Sequence, residues 1–314
     1  MLVWAAVAVV LATAAISLGL TDVARRLLER AGVMDVPNKR SSHSRPVPRG
    51  VGIAMLAVWV VSTAVIALRV PGGGHLAALL AMVTALSVLG FIDDARHLSP
   101  LLRFTAQVLI CGLAVTFGLG DRVLILPGLS PLGPSVLAIP LWTIILVLLV
   151  NIFNFMDGID GLVAGQTLLA AVVLSAIALL IGSPLLALAA ATLAGTVAGF
   201  LPFNWSPARC FMGDAGSYFC GGALAGLWLF GQRRGLSPVL EALPASAFLL
   251  DALITLVRRT TTGERPWRAH RSHLYQRLVA RGWSHARVTE CYLATGGATG
   301  AASLLLVAWL RPWG

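Results

Sequence analysis

The chain has 314 residues, 58% hydrophobic and 11% charged, with a mean hydropathy of +0.86 and a net charge of +10. Soluble domains carry about 25% charged residues, so these proportions exclude a water-soluble domain with one anchor and indicate a polytopic membrane protein in a single domain, 1–314. In such a chain positive charge is a matter of topology before anything else, and no nucleic-acid partner is expected.

The first stretch, MLVWAAVAVVLATAAISLGL, lacks a basic leader and is followed by basic residues, so it is expected to be a retained span and not a cleaved signal. A helix needs about 20 mostly apolar residues to cross the hydrocarbon. Ten stretches meet that need approximately: 1–20, 51–69, 76–92, 101–120, 137–154, 162–181, 185–203, 217–231, 238–257 and 291–311. The fold class is therefore all-α, with about ten transmembrane helices and both termini on one side. Five of the 23 basic residues, Arg69, Arg122, Arg233, Arg234 and Arg311, fall on the side of the termini, leaving 18 on the other. The positive-inside rule puts the richer side in the cytoplasm and the termini outside. The four cysteines have no CxxC spacing and read as packing residues.

The acids then become informative. Of nine aspartates, six (Asp35, Asp93, Asp94, Asp157, Asp160 and Asp214) collect on the cytoplasmic face, in a chain with few acids elsewhere. They lie in the stretches DVPNKRSSHSRPVPRGVG (35–52), FIDDARHLSPLLRFTAQ (91–107), NIFNFMDGIDG (151–161) and PFNWSPARCFMGDAGS (202–217), with RRTTTGERPWRAHRSHLYQRL (258–278) beside them. Each alone has a bland reading: arginine-rich loops set topology and touch headgroups, and Gly-Asp makes turns. Their coincidence on one face is what solubility does not require. Clustered carboxylates and amide oxygens suit a hard divalent cation, above all Mg²⁺. Glycines beside Asp157, Asp160 and Asp214 admit a phosphate to the backbone, and arginines and histidines neutralise it. An Asp-Asp pair can raise a carboxyl pKa into the range of a base. Together these parts suit phosphoryl transfer, which is mostly positioning and charge neutralisation.

In this order, Asp93-Asp94, NFMDGIDG, FMGDAGS and AHRSHLYQRL resemble the polyprenyl-phosphate N-acetylhexosamine-1-phosphate transferases, a family that includes the phospho-N-acetylmuramoyl-pentapeptide transferases. The resemblance covers most of the chain. It implies transfer of a sugar-1-phosphate from a UDP-N-acetylamino sugar to undecaprenyl phosphate, with release of UMP, Mg²⁺ as cofactor (Mn²⁺ as its substitute), and multi-pass residence in the bacterial inner membrane with cytoplasmic catalytic loops. It allows a homodimer. By resemblance Asp214 and Asn154 hold the metal, Asp157 and Asp160 serve the nucleotide-sugar site, and Asp93 and Asp94 receive the lipid phosphate or its proton. Arg103 contacts phosphate, and His270, Arg271 and His273 close over the nucleotide sugar. His43, Arg49 and Asn204 complete the expected substrate-binding set. The chain departs from the family pattern at Ser272, where many relatives have histidine, and at Val51, where glycine is common. AHRSHLYQRL is most similar to O-antigen initiators that use N-acetylfucosamine-type sugars.

Two other readings compete. A transporter would also place acids in membrane segments, but near the midplane, where only Asp251 is a candidate. An inactive scaffold would keep the same face without turnover. The CDP-alcohol phosphotransferases are excluded because DGIDGL lacks their Ala-Arg, and the aromatic prenyltransferases because Asn151 and Asn154 do not give their acid spacing.

Overall fold

A computed structural model of the protein describes residues 1–37, 45–119, 138–264 and 271–310. Helix α1 (Leu2–Arg30) leads through a small hairpin, β1 (Met34–Asp35) and β2 (Val47–Pro48), to α2 (Gly52–Arg69) and α3 (Ala77–Arg96). Then come α4 (Pro100–Ala114), α5 (Ala138–Met156), α6 (Leu162–Leu180), α7 (Pro184–Asn204) and α8 (Gly213–Gln232). The chain closes with α9 (Pro238–Ala242), α10 (Ser246–Thr261), the short α11 (Leu274–Ala280) and α12 (His285–Leu310). The hairpin is antiparallel, pairing Met34 with Pro48 and Asp35 with Val47, and is the one sheet among the described residues.

Within the described residues, all ten stretches expected to span overlap helices. Among the described residues nine helical segments are long and apolar enough to cross a membrane. The exception is α8, whose glycine-rich sequence GDAGSYFCGGALAGLWLFGQ lowers its hydropathy. Burial explains that composition: α8 is enclosed by protein along nearly its whole length, so it meets helices instead of lipid. The bundle is centred on α6, α7 and α8, with α1 against α7, α12 against α6, and α3 and α5 against α8. In lipid, helix association depends on close backbone approach more than on apolar burial. Gly195 and Gly199 of α7 supply it, since a Cβ on either would overlap α1. Ser17 Oγ of α1 donates to Thr196 O across the same contact at 2.6 Å.

Two expected spans differ from the helices observed. Helix α1 continues ten residues past the apolar stretch, to about 43 Å, held beyond it by ion pairs from Asp22 to Arg25 (2.9 Å) and Arg26 (2.6 Å) and from Arg25 to Glu29 (3.1 Å). The stretch 238–257 is not one rod: α9 and α10 are joined by a 3₁₀ turn, Leu243–Ala245, with Pro244 at the break. Proline cannot donate within a helix and crowds the preceding turn. The Leu240 carbonyl, whose in-helix donor Pro244 cannot supply, accepts instead from Ser303 Oγ (2.7 Å), and at the turn the Leu243 and Pro244 carbonyls accept from Thr299 Oγ1 (2.6 Å) and Gln166 Nε2 (2.7 Å).

Candidate active site

The end of α3 meets the start of α8. Ser87 Oγ donates to Ala215 O at 2.9 Å, and Gly90 lies so close to the Asp214 carbonyl that a Cβ there would overlap it. Gly52, at the start of α2, is equally close to Gly216. The chain before α2 is laced to the residues before α8: Phe211 N donates to Pro48 O (2.8 Å), Val51 N to Phe211 O (3.2 Å) and Gly52 N to Met212 O (3.0 Å). Small residues at three crossing points thus bring Arg49, Asp94 and Asp214 to one place.

The Asp93-Asp94 pair diverges there. Neighbours on a helix point about 100° apart, and the two carboxylates take different partners. Asp93 is buried, accepts from Leu98 N at 2.8 Å and pairs with Arg103 at 2.7 Å. This closes the turn at His97, whose φ of 49° is left-handed, before Ser99 caps α4 by accepting from Leu102 N. Asp94 accepts from Asp214 N (3.0 Å) and Ala215 N (3.1 Å), so α8 takes its N-terminal cap from another helix. Arg49 Nη2 stands 2.9 Å from Asp94 Oδ1 and 3.2 Å from Asp214 Oδ1. Asn154 Nδ2, from the last turn of α5, donates to Asp214 Oδ1 (3.1 Å) and Ser217 Oγ (3.0 Å). Arg103 Nη1 lies 3.9 Å from Asp214 Oδ2. Asp214 therefore sits between two guanidinium groups and an amide.

The two acids of the DGIDG turn also separate. Asp157 faces the cluster, and no hydrogen bond or ion pair reaches its carboxyl from the described residues. Burial pushes its pKa up to about 7; the negative charges of Asp214 and Asp94 add to this and Arg49 offsets it in part. Asp160 belongs to a second knot. Its carboxylate pairs with His285 Nδ1 (3.3 Å) and accepts from Ala208 N (3.1 Å), and its carbonyl accepts from Thr289 Oγ1 (3.0 Å). Burial would raise its pKa, but the His285 bond and charge and the Ala208 N–H outweigh burial and hold it below the usual carboxylate value. Asn204 joins the same knot by accepting from Gly161 N (3.2 Å) and donating to Cys210 O (3.2 Å).

The late loop supplies a third group. His43 and His270 lie outside the described residues. Arg271 is exposed at the loop's end. His273 is buried at the start of α11, stacked on Tyr275 with ring centroids 5.6 Å apart and 3.9 Å from Asp251. Burial holds its pKa below the ordinary histidine value, against the pull of Asp251. The structure thus gathers Arg49, Asp93, Asp94, Arg103, Asn154, Asp157 and Asp214 in one cluster, and places Asp160 with Asn204, and His273 with Asp251, beside it. Tyr275 and His285 are site-building residues that the sequence did not single out, and Asp251, singled out there only as a midplane acid, joins them.

Among the described residues no three histidine, cysteine or acidic side chains form a metal cage by themselves. Mg²⁺ does not ask for one: it keeps waters and uses one or two carboxylates together with substrate phosphates. Asp214, Asn154 and Asp157, which has no ion pair among the described residues, fit that pattern, and the negative charges of Asp214 and Asp94 add to the effect of burial in raising the Asp157 pKa.

Carboxylates, arginines and glycine turns at the end of a membrane bundle define a membrane enzyme that handles phosphate. The comparisons agree. Residues 76–232 match the profile of glycosyl transferase family 4. The chain is 33% identical over 320 residues to the decaprenyl-phosphate N-acetylglucosaminephosphotransferase of Mycolicibacterium smegmatis, covering 91% of this chain and 78% of the relative. It is 30% identical over 271 residues to the "Probable undecaprenyl-phosphate N-acetylglucosaminyl 1-phosphate transferase" of Bacillus subtilis, covering 85% and 75%. With a phospho-N-acetylmuramoyl-pentapeptide-transferase of a Mycobacterium species it shares 34% identity over 358 residues, 96% of each chain. The chain belongs to glycosyl transferase family 4, the polyprenyl-phosphate sugar-phosphate transferases.

Proposed function

We propose that this protein transfers an N-acetylamino-sugar-1-phosphate from a UDP-sugar to undecaprenyl phosphate, releasing UMP and starting a cell-surface glycan such as an O-antigen. The observation that carries this reading is Asp214, set between Arg49, Arg103 and Asn154 at the end of membrane helices, with Asp157, which has no ion pair among the described residues, beside it. In the transfer, an oxygen of the lipid phosphate attacks the sugar-linked phosphorus of the UDP-sugar. The new P–O bond forms as the bond from that phosphorus to the bridging oxygen breaks, and UMP leaves with the bridging oxygen. Asp214, Asn154 and Asp157 would hold Mg²⁺, which when bound supplies neutralisation of the diphosphate oxygens. Arg103, at the lipid-facing start of α4, receives the lipid phosphate, and Asp93 fixes its guanidinium. Asp94 fixes the start of α8 and, through Arg49, the acid face of the site.

The positive-inside count supports a cytoplasmic position for this end of the bundle, where soluble UDP-sugars would reach it. The transporter reading rested on Asp251 as a midplane acid, and that carboxylate is taken up by hydrogen bonds to α11 and α12. Two of the relatives above are named for N-acetylglucosamine, whereas AHRSHLYQRL leans towards initiators using N-acetylfucosamine-type sugars.

The test is nucleotide release by purified protein with undecaprenyl phosphate, Mg²⁺ and a panel of UDP-N-acetylamino sugars. UMP that appears only with lipid phosphate supports the reading and names the sugar. UDP as product, or no nucleotide from any sugar, overturns it.

A further inference from the structure

Asp251 lies in the apolar sequence AFLLDALITLV and is buried. An acid in such a segment costs several kcal/mol unless it is compensated. Its partners are specific. Oδ1 accepts from Leu274 N at 2.7 Å and from Thr255 Oγ1 at 3.4 Å; Oδ2 accepts from Tyr275 N at 3.3 Å and from Tyr292 Oη at 2.7 Å. One side chain of α10 thus satisfies two first-turn N–H groups of α11 and ties both helices to α12. A seven-residue helix has too few hydrogen bonds to stand alone, so its place is set by these contacts.

Tyr275 carries the linkage onward. It is fully buried, and its hydroxyl donates to Phe155 O at 3.0 Å. Phe155 is in the last turn of α5, where carbonyls have no partner within the helix, and Asp157 follows two residues later. The phenol also occupies the space where any Cβ on Gly158 would stand, so glycine at 158 admits the ring. One continuous path therefore runs from Asp251 through the start of α11 and the Tyr275 ring to the turn that presents Asp157. Arg271 is three residues before α11 on the same loop.

We infer that Asp251 and Tyr275 are positioning residues for the UDP-sugar: together they set the Asp157–Gly158 turn and the Arg271 end of the late loop against each other. Neither touches the cluster of Asp94, Asp214 and Arg49. The inference deepens the proposed function and rests on it.

Tyr275→Phe removes one hydroxyl and leaves the ring in place. With each substrate varied in turn, the variant is expected to raise the UDP-sugar KM about fivefold to tenfold, as losing one hydrogen bond would. The undecaprenyl phosphate KM should stay within about twofold. A merely structural role would lower the amount of active enzyme and leave both KM values unchanged, and that result overturns the inference. Asp251→Asn is expected to act in the same direction, and the double variant to be no worse than Asp251→Asn alone, because both cut one path. Effects that multiply would overturn the linkage. If Asp251→Asn does not fold, Tyr292→Phe takes its place in the cycle. A wild-type protein that releases no UMP overturns the function on which this rests, whereas normal UMP release with an unchanged UDP-sugar KM in Tyr275→Phe overturns only the positioning role.

Discussion

Replacing Asp157 by asparagine should make the metal-free protein more stable at pH 8. In the folded state the Asp157 carboxyl titrates at about 7, against an ordinary value of 3.8. Each unit is worth about 1.36 kcal/mol, so the charge costs the folded state at most about 4 kcal/mol once both states are ionised. The folded state holds this proton more tightly than the unfolded one. The contribution of Asp157 to stability is therefore most favourable below about pH 4, falls as pH rises through the window up to about 7, and is flat above it. At pH 5.5 the same relation leaves a cost of about 2 kcal/mol. Asparagine cannot ionise and keeps the shape, so Asp157→Asn should gain about 2–4 kcal/mol at pH 8 and about half as much at pH 5.5. The assay is thermal unfolding in detergent at both pH values, with and without Mg²⁺. A cation bound only by the folded state raises the wild-type Tm and should narrow the gap at pH 8. A variant no more stable than wild type at pH 8, or a gap that does not change with pH, would refute the account of Asp157 as uncompensated charge.

Asp214→Asn and Asp94→Asn are expected to abolish UMP release while the protein remains folded and monodisperse; near-normal turnover in either removes that residue from the machinery. Asp94→Asn should also lose about 1–3 kcal/mol of stability, because an amide accepts poorly from two N–H groups at once, and Tm reads this. Arg271→Ala should raise the UDP-sugar KM more than it lowers kcat, and the reverse pattern would assign Arg271 to transition-state stabilisation. Gly90→Ala puts a methyl group into the Asp214 carbonyl; a loss of about 1–3 kcal/mol in stability, together with reduced turnover, is expected, and a wild-type Tm would contradict the close approach of α3 and α8.

Hydropathy made the helices legible, and it failed where the physics changes. It ended the first span near residue 20 because the lipid-compatible residues end there, while α1 continues to Arg30 on ion pairs three and four residues apart. It joined 238–257 into one span because both halves are apolar, although Pro244 in the middle was the available signal for a break. The gathering of acids could be seen from their scarcity elsewhere, and the structure brings four of them, Asp93, Asp94, Asp157 and Asp214, into one cluster. Their division of labour was not legible. Asp93 and Asp94 are adjacent in sequence but face different helices, and Asp157 and Asp160 share a motif but enter different knots. The roles of Asp251 and Tyr275 were hidden for another reason. Each bonds backbone groups, 23 to 120 residues away, and backbone groups leave no mark in a sequence.

Charge accounts for why a membrane helix should end in these acids. Within the cluster Asp93 is matched by Arg103 and Asp94 by Arg49. Asp214 shares both arginines without owning either, and among the described residues Asp157 forms an ion pair with none. The remaining charge is close to −2 when both carboxyls are ionised, which is the charge one divalent cation cancels. Asp214 also lies in the first turn of α8, the positive end of a helix dipole, with Arg49 and Arg103 within 4 Å. Without a cation the pocket repels phosphate through its two spare carboxylates. With those neutralised, two arginines and a helix N-terminus remain, and the same pocket attracts phosphate. On the proposed function, such a site is expected to hold its anionic substrates only in the presence of the cation, with one of them arriving from water while the other stays in lipid.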